Sequence, residues 1–208
     1  MNEHVTDLMA DLGEVALDSI TGNEVLREIP ILGTAIGVAR AAESIRDRVF
    51  LNKVRHFLQN LDEISPEQRT RFKETLEQDP KAQAKTGEAV FSTIERGDSL
   101  KKIEYAALAF RAFLDGRLSS DKLRMVCFSI RQAFVDDLEY VVETERIRKF
   151  DYDLRFLVPS GLAEETYDFT SSDGPPEPDY KISDIGETLR GIWADYRNVE
   201  PSVPGDAW

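Results

Sequence analysis

Few side chains in this sequence combine the types and spacing that chemistry requires. Ser119-Ser-Asp-Lys122 fits the S-x-x-K pattern of serine acyl-transfer enzymes, and Lys85-Thr86-Gly87 fits their K-T-G string. Their order is reversed, no S-D-N string accompanies them, and both fall in helical sequence where K-T-G belongs on a strand, so the match reads as coincidence. The imidazoles are His4 and His56; His56 lies beside Phe57 with no cysteine or second histidine to complete a metal set, which predicts a packed or surface role. Cys127, the single cysteine, rules out an intramolecular disulfide and falls on an apolar helical stripe, where a buried inert thiol is the expectation. Asp136, Asp137, Glu139, Glu143 and Glu145 have the chemistry of a divalent-cation site, yet such a run more commonly forms a solvated helix face. Asp115-Gly116 resembles the start of a calcium loop but offers too few oxygen ligands at the required offsets. P-loop, dinucleotide, G-x-S-x-G and H-E-x-x-H patterns are absent. The expectation is a protein without catalytic residues, cofactor or metal.

With 208 residues and 41% hydrophobic side chains, the chain has enough apolar material for one sizeable core, with room for a small appendage. The formal charge of −13 is uneven: residues 1–30 carry 7 acidic and 1 basic side chain, residues 31–150 carry 19 and 21, and residues 151–208 carry 13 and 4. Broad binding to nucleic-acid backbone relies on clustered cations and is disfavoured by this balance. The amino-terminal residues show no basic region followed by an apolar run, so a cytoplasmic, reducing setting is expected. The longest nearly apolar run, 29–42, falls short of the roughly 20 residues that cross a bilayer; no transmembrane helix is expected.

Apolar spacing of three and four predicts a mainly α fold, a multi-helix bundle around a long central helix over 29–61. Before it, 5–20 reads as an amphipathic helix with Asp7, Asp11, Glu14 and Asp18 on its polar side. Gly33 and Gly37 form a GxxxG step that permits close helix packing, with Arg40 nearby. Ser65-Pro66-Glu67-Gln68 is a capping-box signature for a helix over 66–78. Pro80 begins another that stops near Gly97, Ser99 opens a third, and after the corner at Asp115–Ser119 an apolar stripe runs from Leu123 to Val142 toward Arg148. Beyond Phe150 the pattern predicts a short helix ending at Gly161, strands at 166–169 and 180–182, and a last helix capped by Ser183. This organisation divides into a helical bundle over 1–150, a small winged-helix-like module of helix, β-hairpin and helix over 151–197, and an irregular tail over 198–208.

Ile29-Pro-Ile-Leu-Gly33, Ser160-Gly-Leu162 and Ile182-Ser-Asp-Ile-Gly-Glu187, taken with the helical middle, resemble a class of small bacterial and prophage-associated helical proteins. The carboxy-terminal segments are similar to the degenerate winged helices of bacterial regulators. The resemblance implies a genomic setting near mobile elements and phage-defence genes, and it brings no catalytic residues.

These readings predict a non-enzymatic protein-interaction or regulatory protein with a protein partner and scope for homo-oligomerisation. A winged-helix DNA-binding regulator is the alternative, with Arg146, Arg148, Lys149 and Arg155 as the DNA-facing cations; Glu164, Glu165, Asp168, Asp173, Glu177 and Asp179 in the wing oppose it. A helical effector that meets a membrane through 31–42, with Gly33, Gly37 and Arg40, is a further alternative. A minor one is an acidic mimic that occupies a nucleic-acid-binding site on another protein.

Overall fold

The start signals in the sequence are realised as hydrogen bonds. The computed structural model describes residues 45–61, 65, 67, 68, 70, 74, 80–144, 154–167 and 178–196. Ser65 N–H donates to Gln68 Oε1 (2.6 Å) and Gln68 N–H donates to Ser65 Oγ (3.2 Å), the reciprocal capping box. Glu67, Gln68, Thr70 and Glu74 beyond it are helical. Ser99 accepts from Lys102 N–H, and Ser119 Oγ accepts from Lys122 N–H (3.2 Å) at the next helix start.

The protein is mainly helical with a small antiparallel hairpin near its carboxy-terminal end. The helices are α1 (Ile45–Gln59), α2 (Pro80–Arg96), α3 (Leu100–Leu114), α4 (Ser120–Gln132), α5 (Val135–Glu143) and α6 (Asp184–Tyr196); a 3-10 turn (Leu154–Leu157) and strands β1 (Ala163–Tyr167) and β2 (Pro178–Ile182) lie between the last two. The contacts divide the chain into two compact units, 1–131 and 132–208.

In the first unit the described core gathers on α3. Ala106, Ala107, Ala109 and Ala112 are fully buried there, and their small side chains let neighbouring helices approach, while Ile103, Tyr105, Phe110 and Leu114 fill the space between. Both α1 and α2 pack on α3 and on each other. The Phe57 and Phe110 rings meet at 5.9 Å between centroids, and Phe50 meets Phe91 at 5.5 Å. From α4, Leu123, Val126, Cys127 and Ile130 point inward. A Schellman ending closes α3, with Arg117 N–H donating to Ala112 O and Gly116 N–H to Phe113 O, both at 2.9 Å.

In the second unit α5 packs against α6, and Leu138, Val141, Leu157, Leu162, Leu189, Ile192 and Trp193 are buried. The β1–β2 register pairs Ala163 with Ile182 and Tyr167 with Pro178. Arg190 Nη2 donates to Thr144 O at 3.0 Å, tying α6 to the end of α5.

Several expectations meet a different outcome or fall outside the described residues. The stripe expected as one helix from Leu123 toward Arg148 breaks at Ala133-Phe134, because Phe134 is extended (φ −72°, ψ 159°) and its N–H is taken by the Asp137 carboxylate (3.3 Å). The compact division of the contacts falls after Arg131, so α5 lies in the same unit as the hairpin. Both strands begin earlier than expected: Glu164 and Glu165, weak strand formers, are carried by pairing opposite Lys181 and Tyr180, with Glu164 Oε1 2.9 Å from Lys181 Nζ. Only 45–61 of the expected 29–61 helix is described; the amphipathic stretch 5–20, the 31–42 segment with Gly33, Gly37 and Arg40, and the tail lie outside the described residues.

Candidate functional site

The two carboxy-terminal segments that carry the sequence resemblance meet at Ser183. This serine caps α6: its Oγ accepts from Gly186 N–H (3.1 Å) and donates to Gly161 O (2.6 Å), while its own N–H donates to Leu162 O (3.0 Å). Leu162 N–H donates to Leu157 O and Gly161 N–H to Val158 O, a Schellman closure of the 3-10 turn that needs the left-handed backbone of Gly161 (φ 76°). Gly186 lies against Leu162 O and Ile182 Cγ2, so any Cβ at 186 collides with both. Ser160-Gly-Leu162 and Ile182–Glu187 are therefore two halves of one structural knot; their residue types follow from closure of the backbone.

Of the expected DNA-facing cations, Arg155 falls among the described residues. Arg155 is exposed on the 3-10 turn Leu154–Leu157, a single turn where a short helix to 161 was expected. Arg146, Arg148 and Lys149 lie outside the described residues. Glu164 and Glu165 are exposed on β1, and Glu165 accepts a hydrogen bond from the Tyr167 hydroxyl at 2.6 Å, which raises the phenol above its ordinary range.

Among the described residues the remaining chemistry-bearing groups do not come together. Lys85-Thr86-Gly87 is mid-helix in α2, with Thr86 buried, and Ser119 is spent on capping α4. Asp137 is buried beneath Phe134 N–H while Asp136 and Glu143 are exposed, so these carboxylates diverge; Glu145 is outside the described residues. Among the described residues no three His, Cys, Asp or Glu side chains come together as a metal set. His56 is half-buried in α1, where its carbonyl accepts from Asn60 Nδ2. Cys127 is fully buried, and desolvation pushes its thiol up to about 11 against the smaller opposing pull of the Thr93 hydrogen bond and Arg131.

One surface feature was missed by sequence reasoning. Met125 and Phe128 on α4 are 53% and 47% exposed and lie outside the predicted apolar stripe that includes Leu123, Val126, Cys127 and Ile130. The signal was available in the spacing. At about 100° per residue, 125 and 128 fall on the side opposite that stripe, with Asp121 and Gln132. In the second unit Phe134, Phe156 and Tyr167 are likewise exposed. Among the described residues no helix is long and apolar enough to cross a membrane.

Comparison with family models, curated proteins and solved structures finds no match for the chain.

Proposed function

We propose that the chain is a non-enzymatic protein-interaction or regulatory protein, acting in the cytoplasm of a bacterium within a phage-defence or prophage setting. The observation that carries this reading is the exposed apolar surface of α4, where Met125 and Phe128 stand half in water on a helix whose other side already supplies the core. Apolar side chains held outward on a rigid helix are what a protein partner covers. The polar groups described in this chain serve capping, pairing and closure, which is consistent with a scaffold whose surfaces do the work. The cytoplasmic setting is the reading that a lone cysteine and the amino-terminal residues support, and the genomic setting is what the sequence resemblance implies.

Affinity purification of the full chain from its native host, with cross-linking and mass spectrometry, tests the reading. The expected result is a protein partner recovered in near-stoichiometric amount and reduced by Phe128→Glu. Recovery of nucleic acid or lipid in place of protein overturns it. The DNA-binding alternative draws on the exposed Arg155 and is opposed by Glu164 and Glu165 beside it. A gel-shift series over salt separates the two, since backbone binding weakens steeply with ionic strength.

A further inference from the structure

We propose that the outer face of α4 docks an acidic amphipathic helix of a partner protein. The inference rests on the protein-interaction reading and names the chemistry of the partner. Leu123, Val126, Cys127 and Ile130 turn inward, so the opposite side of α4 is a surface rather than a displaced piece of core. On that side the exposed Met125 and Phe128 are three residues, about one turn, apart, the spacing with which a helix receives apolar anchors from another helix. Methionine adds a side chain that reshapes easily around a partner.

The charge around the spot decides between partners. By helical spacing Arg124 and Arg131 lie along one flank and Lys122 along the other. From Arg117 to Arg131 the chain holds four cations and one acid, Asp121, within a protein whose net charge is −13. The flanking guanidiniums are held in place: Arg124 Nη1 is 2.9 Å from Asp121 Oδ1, and Arg131 Nη1 donates to Ser92 Oγ at 2.6 Å. Each guanidinium has five N–H donors in a planar fork, so these contacts leave geometry suited to a second carboxylate. An apolar centre with cationic flanks is the complement of a helix that has an apolar stripe bordered by Glu and Asp. A nucleic acid would place phosphates over Met125 and Phe128 and against Asp121, which the face does not favour. The spot is smaller than a standard protein interface, so the binding is weak and transient, in the micromolar range.

The test titrates the 15N-labelled full chain with two synthetic helical peptides. Both carry leucine at i, i+3, i+4 and i+7; one carries glutamate at the remaining positions and the other lysine. The expected result is binding of the glutamate peptide with Kd of roughly 10–500 μM, weakened by salt, with amide shifts centred on 122–131. Phe128→Glu and Arg124→Glu each weaken it about tenfold or more while the circular dichroism and melting of the chain stay as they were. The proposal is overturned if both peptides bind alike, if Phe128→Glu leaves binding intact, or if no shifts appear up to roughly 1 mM. It is also overturned if phosphatidylglycerol vesicles, and not the peptide, bind in a Phe128-dependent manner. Should the peptide fail while affinity purification still recovers a protein partner with the Phe128→Glu chain, the docking face is refuted and the interaction reading stands. If the peptide fails and the unsubstituted chain also recovers no protein partner, both are refuted.

Discussion

Cys127 and Lys102 show how burial assigns different work to side chains that look reactive in isolation. Burial holds the Cys127 thiol at about 11 in the folded chain against an ordinary value of 9.0. Between those values the unfolded chain gains by losing the proton and the folded chain does not. The thiol's contribution to stability is therefore complete below pH 9 and lost as pH rises through 11, a fall of about 3 kcal/mol. Urea unfolding at pH 8 to 11, compared with Cys127→Ala, checks this: the difference between the two chains should shrink or reverse across that window. A thiol reagent at pH 8 should label Cys127 only on unfolding. Lys102 is 3% exposed at the start of α3, and its ammonium is 3.0 Å from Asp98 Oδ1, a carboxylate that itself faces water. Such a pair is worth little as an attraction, but removing one side leaves a buried charge uncompensated. Asp98→Ala should cost about 1–3 kcal/mol, while Lys102→Met, which removes the charge and keeps the volume, should be close to neutral by the same denaturation measurement.

Elements in this protein end where a backbone hydrogen bond is diverted. The break between α4 and α5 is set by Asp137 taking Phe134 N–H, and the turn after Leu157 by Gly161 entering the left-handed region. At the start of α6 the constraint is space as well as hydrogen bonding, since Gly186 packs on Leu162 O and Ile182 Cγ2. Gly186→Ala should destabilise by about 2 kcal/mol or more, despite alanine's better helix propensity, because the Cβ meets a backbone carbonyl that cannot rotate away. Native-state hydrogen exchange should show faster exchange in α5, the hairpin and α6, with α3 little changed. In α2, Thr86 Oγ1 is buried without a hydrogen-bond partner. Thr86→Val keeps the shape and removes the unsatisfied hydroxyl, so it should raise stability by about 1 kcal/mol, read as an increase in melting temperature.

Across the whole chain the dominant electrostatic fact is self-repulsion. A net charge of −13 repels itself across the chain and so opposes the folded state. Salt screens that repulsion, so melting temperature should rise by a few degrees between about 10 and 200 mM NaCl. A flat or falling response would mean that local ion pairs, such as Lys181–Glu164 and Arg190–Glu187, outweigh the global field. The cations Lys122, Arg124 and Arg131 of α4 stand against this global charge, and the proposed acidic partner helix is expected there for that reason.

Much of the architecture is legible in the sequence because its signals are local. Ser65, Ser99, Ser119 and Ser183 announce helix starts through hydrogen bonds that span three residues, and the apolar periodicity of Ile103 to Leu114 needs no knowledge of what it packs against. Cys127 could be assigned to the interior on the same ground. Long-range competition is what tertiary structure alone decided. Strand pairing recruited Glu164 and Glu165 against their propensity because Lys181 and Tyr180 stood opposite, whereas the split of the Leu123–Val142 stripe at Phe134 is again local, its N–H taken by a carboxylate three residues on. Tertiary packing also decided which apolar residues of α4 remain in water: Met125 and Phe128 differ from Val126 and Ile130 in the side they face, and a face becomes core or docking surface only when the neighbouring helices have taken their places.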